Sequence, residues 1–216
     1  MERQPVKNDV SSYIIQSQEE EIKRIALELH EGVGQTLYSL YTGMQFIQTA
    51  VEQKAMQEYV GDMAGLLEKT IHEVRLLAVE LHPPTLTTLG LLPAMKSYLK
   101  LYTSTYGIEV DLESTGKEVP MQAKERITLF RVCQEALANI ARYADSVKAV
   151  ISFIWSTDQL SIIIKDNGRG FDIEEGWKQS TGLAAMRERM HLIGGEWHLS
   201  SNIGEGTVIE LHLPII

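Results

Sequence analysis

A single cysteine, six prolines and the lack of any long apolar run set the first limits on this 216-residue chain. One thiol, Cys133, cannot close an intrachain disulfide. Its place in an apolar helical pattern makes it a packing residue and fits a reducing compartment. No stretch approaches the roughly 20 apolar residues that span a bilayer, and no signal peptide is visible. The segment is therefore expected to be cytoplasmic with no membrane contact of its own, whether free or part of a membrane-anchored parent. Basic charge is also scarce. Twenty Lys and Arg against 29 Asp and Glu leave a net charge of −9, which argues against direct nucleic-acid binding, since that needs a basic face. A nucleotide held by backbone N–H groups and a metal ion stays open. Five histidines (His72, His82, His191, His198 and His212) lack ligand spacing with one another or with Cys133, so no zinc site is expected.

The few prolines divide the chain. None occurs between Pro5 and Pro83-Pro84, an interval that fits two long helices. Ile22, Ala26, Leu29, Val33, Leu37, Leu40, Met44, Ile47 and Val51 recur at steps of three and four, one apolar stripe of a helix. Val60, Met63, Leu67, Ile71, Val74, Leu77 and Leu81 form a second stripe beyond a polar segment at Glu52 to Gln57. Such an antiparallel hairpin has too little to bury its stripes against, so dimerisation into a four-helix bundle is expected. Val10 to Gln18 reads as a helix continuing a coiled coil from upstream. Pro83-Pro84 ends the second helix, and another helix follows from Pro93 to Tyr106. Beyond it the pattern is mixed: strands at Ile108 to Glu113, Val147 to Trp155, Gln159 to Lys165, Glu196 to Ser201 and Thr207 to Leu213, and helices at Lys124 to Tyr143 and Thr181 to Ile193. Helices with antiparallel strands predict an α+β sandwich with helices on one face.

Glu28-Leu29-His30-Glu31-Gly32-Val33-Gly34-Gln35 is the stretch richest in chemistry. His30 lies beside the apolar stripe but off it, which leaves its ring accessible. An imidazole with the usual pKa of about 6.5 is largely neutral, and so nucleophilic, near physiological pH. Glu31 can hold the second ring nitrogen, and Glu31 and Gln35, four apart, share a helix face. Gly32 and Gly34 each cost about 1 kcal/mol in a helix relative to alanine, which points to local bending or to a partner's close approach. Downstream, Glu135 and Asn139 are four apart on one helix and supply the oxygen donors that Mg²⁺ prefers. Asp166 at a strand end can accept a hydrogen bond from an adenine amino group, and Asn167-Gly168-Arg169-Gly170 allows close backbone approach. Gly182 opens a helix whose N–H groups suit phosphate, and Thr207 follows Gly204-Glu205-Gly206 with a hydroxyl. A helical histidine plus a separate nucleotide pocket points to ATP-dependent phosphorylation of the protein's own histidine.

These motifs, in this order, resemble the cytoplasmic kinase core of two-component sensor histidine kinases of the NarL/DesK/DegS type. Glu28-Leu29-His30-Glu31 with Gln35 is similar to that family's phosphoacceptor motif, and Leu81-His82-Pro83 through Gly90-Leu91 to the segment after its second helix. Gln134-Glu135-Ala136-Leu137 with Asn139 resembles the N-box. Asp166, Gly168 and Gly170 resemble the G1 box, Gly182-Leu183 through Arg189 the G2 region, and Gly204, Gly206 and Thr207 the last glycine box. The resemblance implies a multidomain α and α+β chain. Residues 1–82 would be the dimerisation and histidine phosphotransfer domain, a hairpin dimerising into a four-helix bundle, and residues 83–216 an α/β sandwich of the GHKL/Bergerat ATPase type. It implies ATP and Mg²⁺ as cofactors, autophosphorylation of His30 activated by Glu31, and transfer to an aspartate of a response-regulator receiver domain. That regulator would carry a helix-turn-helix DNA-binding output, and Gln35 would assist a phosphatase activity on it. Glu135 would be catalytic, Asn139 would ligate the metal and Asp166 would recognise adenine. Arg142, Gly168, Gly170, Gly182, Leu183 and Thr207 would complete the nucleotide site. The chain departs from the family pattern at Glu31, where aspartate is more usual, at Tyr143, often histidine, and at Ala185, commonly glycine.

Overall fold

A computed structural model describes residues 21–179 and 181–215, so the helix expected over Val10 to Gln18 lies outside the described residues. The chain divides into two compact units, Met1–Pro84 and Thr85–Ile216.

In the first unit the first long helix forms with an insertion. It is α-helical over residues 21–27 (α1), widens into a π turn at Glu28–Val33, and resumes as α2 at Gly34–Ala50. The Gly34 N–H closes the turn on the Leu29 carbonyl, an i→i+5 bond. A π turn fits extra chain into one helical turn and is frequent at functional sites. Ala26 and Gly34 are buried, and Val33, on the expected apolar stripe, is 41% exposed. Helix α3 (Lys54–Leu81) starts earlier than its apolar series, leaving a connection shorter than the polar segment predicted. Gln57 Nε2 bridges that turn to the Val51 carbonyl at 2.6 Å. Ala64, Val60, Ile71, Leu76 and Ala78 are buried along α3, and the Arg75 guanidinium lies 5.7 Å from the Tyr38 ring centre.

The second unit begins with α4 (Pro84–Thr88) and α5 (Leu91–Tyr106). Helix α5 opens after Gly90 (φ 97°), two residues before the expected Pro93. Strands β1 (Glu109–Thr115), β2 (Lys148–Trp155), β3 (Gln159–Asp166), β4 (Glu196–Asn202) and β5 (Gly206–Pro214) make one sheet in the order β1-β2-β3-β5-β4. The pairings are antiparallel except β1 with β2, which run parallel. The chain returns to β2 through helix α6 (Ala123–Asn139), a long crossover of the kind a parallel pair requires. The antiparallel expectation holds for the other pairings and is corrected at this edge. Alternate residues Ile151, Phe153, Ile162, Ile164, Leu211 and Leu213 are buried, so one face is covered. Helices α5, α6 and α8 (Thr181–His191) contribute Tyr98, Tyr102, Phe130, Leu137, Met186 and Met190 to that core. Tyr98 meets Phe130 edge-on at 5.7 Å, and the Tyr102 hydroxyl donates to the Leu137 carbonyl at 2.9 Å. Among the described residues no helix is long and apolar enough to cross a membrane.

Candidate functional site

Two segments that the sequence presents as continuous helix or plain loop shape the site. The helix expected over Lys124 to Tyr143 is α-helical only to Asn139. Ile140–Ala144 form a second π turn, and Asp145 then takes a left-handed conformation (φ 55°). This unwinding brings Arg142 and Tyr143 to the rim of a cavity of about 420 Å³. Between the G1 and G2 regions lies a short helix, α7 (Ile173–Gln179). Asp172 Oδ1 caps it by accepting the Glu175 N–H at 3.0 Å. The Asp-x-x-Glu spacing of 172–175 was the available signal for that helix.

Glu135, Asn139, Arg142, Asp166, Gly170, Gly182, Leu183 and Thr207 all line this cavity. They come from α6, the second π turn, β3, the loop after it, α8 and β5. Gly168 stands just behind the wall and donates its N–H to Asp166 Oδ1 at 2.8 Å. A Cβ there would collide with the Ala144 backbone, to which the Arg169 N–H also bonds at 2.7 Å. The G1 loop is thus laid directly on the end of the second π turn. At Gly182 a Cβ would meet only the Glu135 carboxylate, which rests against the first turn of α8 and would have to swing aside. Tyr143, Arg169, Phe171, Asp172, Glu175 and Thr181 line the cavity as well and were not singled out from sequence as site residues.

Asp166 is 3% exposed. Burial pushes its carboxyl above the ordinary 3.8, because charge is costly away from water. Hydrogen bonds from the Gly168 N–H, the Thr207 N–H and the Thr207 hydroxyl pull the other way by favouring the ionised form. Beside it, α7 is held by stacking. Trp177 meets Trp197 edge-on at 5.7 Å, and the Arg187 guanidinium lies 4.6 Å from the Trp177 ring centre. His30, Glu31 and Gln35 stand in the first unit, all exposed, with His30 and Glu31 inside the first π turn. Positions five apart lie nearer one side in a π turn than in an α-helix, so His30 and Gln35 face more nearly together than an unbroken helix would allow. Cys133 is fully buried, and burial pushes its thiol up to about 12.

A five-stranded mixed sheet with helices on one face and a cavity between α6, α8 and the ends of β3 and β5 defines a nucleotide-binding domain. Residues 124–216 match the family described as "Histidine kinase-, DNA gyrase B-, and HSP90-like ATPase", and residues 21–86 the family described as "Histidine kinase". The chain is 31% identical over 205 residues to a signal transduction histidine-protein kinase/phosphatase DegS from Brevibacillus brevis. That match covers 94% of this chain and 53% of the relative, so the chain spans about half of that protein's length. The fold is shared with the histidine kinase domain of a blue-light activated histidine kinase from Erythrobacter litoralis. There the TM-score is 0.51 at 17% identity, over 83% of this chain and 94% of that one. A longer structure of the same kinase gives 0.51 at 18%, over 82% and 59%. The chain belongs to the sensor histidine kinases of the NarL/DesK/DegS type, with their helical domain followed by their ATP-binding domain.

Proposed function

We propose that this protein phosphorylates its own His30 from ATP, passes the phosphoryl group to an aspartate of a response-regulator receiver domain, and removes it from that regulator. The observation that carries the reading is the convergence of Glu135, Asn139, Arg142, Asp166, Gly182 and Thr207 on one cavity, in a chain whose other unit exposes His30 within a π turn. Asp166 accepts a hydrogen bond from the adenine amino group. The first turn of α8 and Arg142 receive phosphate, since helix N–H groups and guanidinium both favour anions. Among the described residues no three acidic, histidine or cysteine side chains converge on a metal by themselves. The Asn139 amide oxygen, with the Glu135 carboxylate on the same cavity wall, would instead hold a Mg²⁺, a hard ion that prefers oxygen donors. When bound, that ion offsets charge on the phosphates.

One ring nitrogen of His30 forms the N–P bond as the bond between the γ-phosphorus and the ADP oxygen breaks. The proton on the other ring nitrogen is held, then taken, by the Glu31 carboxylate. In transfer, the N–P bond breaks as a receiver aspartate oxygen bonds to phosphorus. In dephosphorylation the Gln35 amide orients the water that attacks phosphorus, and the bond to the aspartate oxygen breaks to release inorganic phosphate and the free carboxylate. The active form is a homodimer with units at 1–82 and 83–216, in the cytoplasm, and the regulator carries a helix-turn-helix DNA-binding output. Exposed Phe46 (74%), Tyr59 (61%) and Leu40 (55%) on the hairpin support the dimer.

The test is incubation with γ-labelled ATP and Mg²⁺. Label that is acid-labile and alkali-stable is expected, and His30→Ala should abolish it while nucleotide affinity stays within about twofold. Label persisting in His30→Ala would place the acceptor elsewhere.

A further inference from the structure

We infer that Ser201 is a positioning residue for base recognition. Acting through Thr207, it aims the acceptor oxygens of Asp166 and so sets how well the pocket separates adenine from a purine bearing an oxo group at the same ring position. The inference rests on the reading of this pocket as an ATP site.

Among the described residues, tyrosine, tryptophan and cysteine aside, only Gln134, Asp166 and Ser201 are buried polar side chains, and Asp166 and Ser201 flank Thr207 on either side. Ser201 is 8% exposed and does not line the cavity. Its hydroxyl accepts the Phe171 N–H at 3.0 Å, donates to the Gly206 carbonyl at 2.9 Å, and lies 3.2 Å from the Thr207 hydroxyl. Thr207 stands opposite Asp166 in the β3–β5 register, and its N–H and O–H favour the ionised form of the Asp166 carboxylate. Ser201 therefore ties together β5, the turn at Gly206 and Phe171, which lines the cavity and packs under α7 against Gly176.

Proton counting shows what Ser201 controls. The two hydroxyls hold two protons for three acceptors: the Gly206 carbonyl, the neighbouring hydroxyl and the Asp166 carboxylate. An ionised acceptor makes a bond about twice as strong as a neutral one, so Asp166 claims the Thr207 proton. Turned toward Thr207, the Ser201 proton holds the Thr207 O–H toward Asp166; turned toward the Gly206 carbonyl, Ser201 fixes Thr207 only through the 3.2 Å contact. Without Ser201 the Thr207 hydroxyl loses its fixed neighbour and the Phe171 N–H loses its acceptor. The carboxylate is then free to turn. A fixed carboxylate accepts from the 6-amino group of adenine and repels a 6-oxo group, while a turning one separates them less well.

The experiment measures dissociation constants for ATP and inosine triphosphate by calorimetry, without divalent cation. It uses the intact chain, Ser201→Ala, Thr207→Val and the double variant. The wild type should prefer ATP. Ser201→Ala should lower that preference about fivefold to tenfold, the worth of one hydrogen bond, mostly through weaker ATP binding. In the Thr207→Val background the same change should leave the preference where it is. A Ser201→Ala chain that weakens both nucleotides equally and keeps the wild-type preference would overturn the inference and leave Ser201 a purely structural residue. So would an equal further loss of preference in the double variant. If circular dichroism shows Ser201→Ala unfolded, Ser201→Cys, which fills the space with a weak donor, is judged by the same ratio. A wild type that binds neither nucleotide, or both equally, would instead overturn the ATP reading of the pocket.

Discussion

Asp166 combines burial with three hydrogen-bond donors, and that combination makes it sensitive to acid. Its carboxyl is raised by burial above the ordinary 3.8, so it takes up a proton at a higher pH than a solvent-exposed aspartate does. Protonation removes acceptor capacity on the oxygens proposed to face the adenine amino group. ATP affinity that depends on Asp166 is therefore present above its raised pKa and lost as pH falls through it. Asp166→Asn should weaken ATP binding by about 1.5–3 kcal/mol, the worth of a hydrogen bond to a charged group. It should also flatten the acid limb of the affinity profile. Calorimetry of wild type and variant across acidic pH reads both effects, with the titration of ATP itself cancelling in the difference. An unchanged dissociation constant would take Asp166 out of the base site. Asp166 was legible in the sequence because an acid closing an apolar strand before two glycines has few other uses. Ser201 was not: on β4 it looks like one more polar residue among exposed neighbours, and only the pairing of β4 with β5 brings it to Thr207.

At the scale of elements, the two glycines beside His30 have different work to do. Gly32 is exposed, and a Cβ there would meet nothing closer than Glu28 Cγ at 3.9 Å. Gly34 is buried, and a Cβ would stand 3.3 Å from the Leu29 carbonyl oxygen, the acceptor of its own N–H. Gly32→Ala should thus gain up to about 1 kcal/mol of helix propensity. Gly34→Ala should gain less or lose stability, because the carbonyl that closes the π turn must give way. Denaturant unfolding of the two variants checks the order, and equal stabilisation by both would mean that the π turn does not depend on Gly34. The sequence shows that something interrupts this helix but not what, because apolar steps of three and four look alike whether or not one residue is inserted. The same limit hides the second π turn, where only the fold shows Arg142 and Tyr143 leaving the helix. Strands β2, β3 and β5 were plain from β-branched alternation. The parallel pairing of β1 is a matter of topology, and no local pattern encodes it.

For the whole molecule, the first unit leaves apolar surface that a lone hairpin cannot cover. Val33, Leu40 and Ile47, one heptad apart, are 41%, 55% and 50% exposed, and Leu66 on α3 is 60% exposed. Water penalises each of these side chains, and a second copy of the same surface removes the penalty for both chains at once. Leu40→Glu should therefore break the proposed homodimer. Burying a leucine is worth about 1.5–3 kcal/mol, and the change enters twice per dimer. The dimer dissociation constant should rise by roughly two orders of magnitude or more. Nucleotide affinity should stay at the wild-type value, because Leu40 belongs to the first unit and the cavity to the second. Sedimentation across a concentration series, paired with calorimetry, separates these effects. If the variant stays dimeric with wild-type affinity for itself, the seam does not run along Val33, Leu40 and Ile47. If it becomes monomeric and also loses nucleotide binding, the two units are not independent in the way their separate cores lead one to expect.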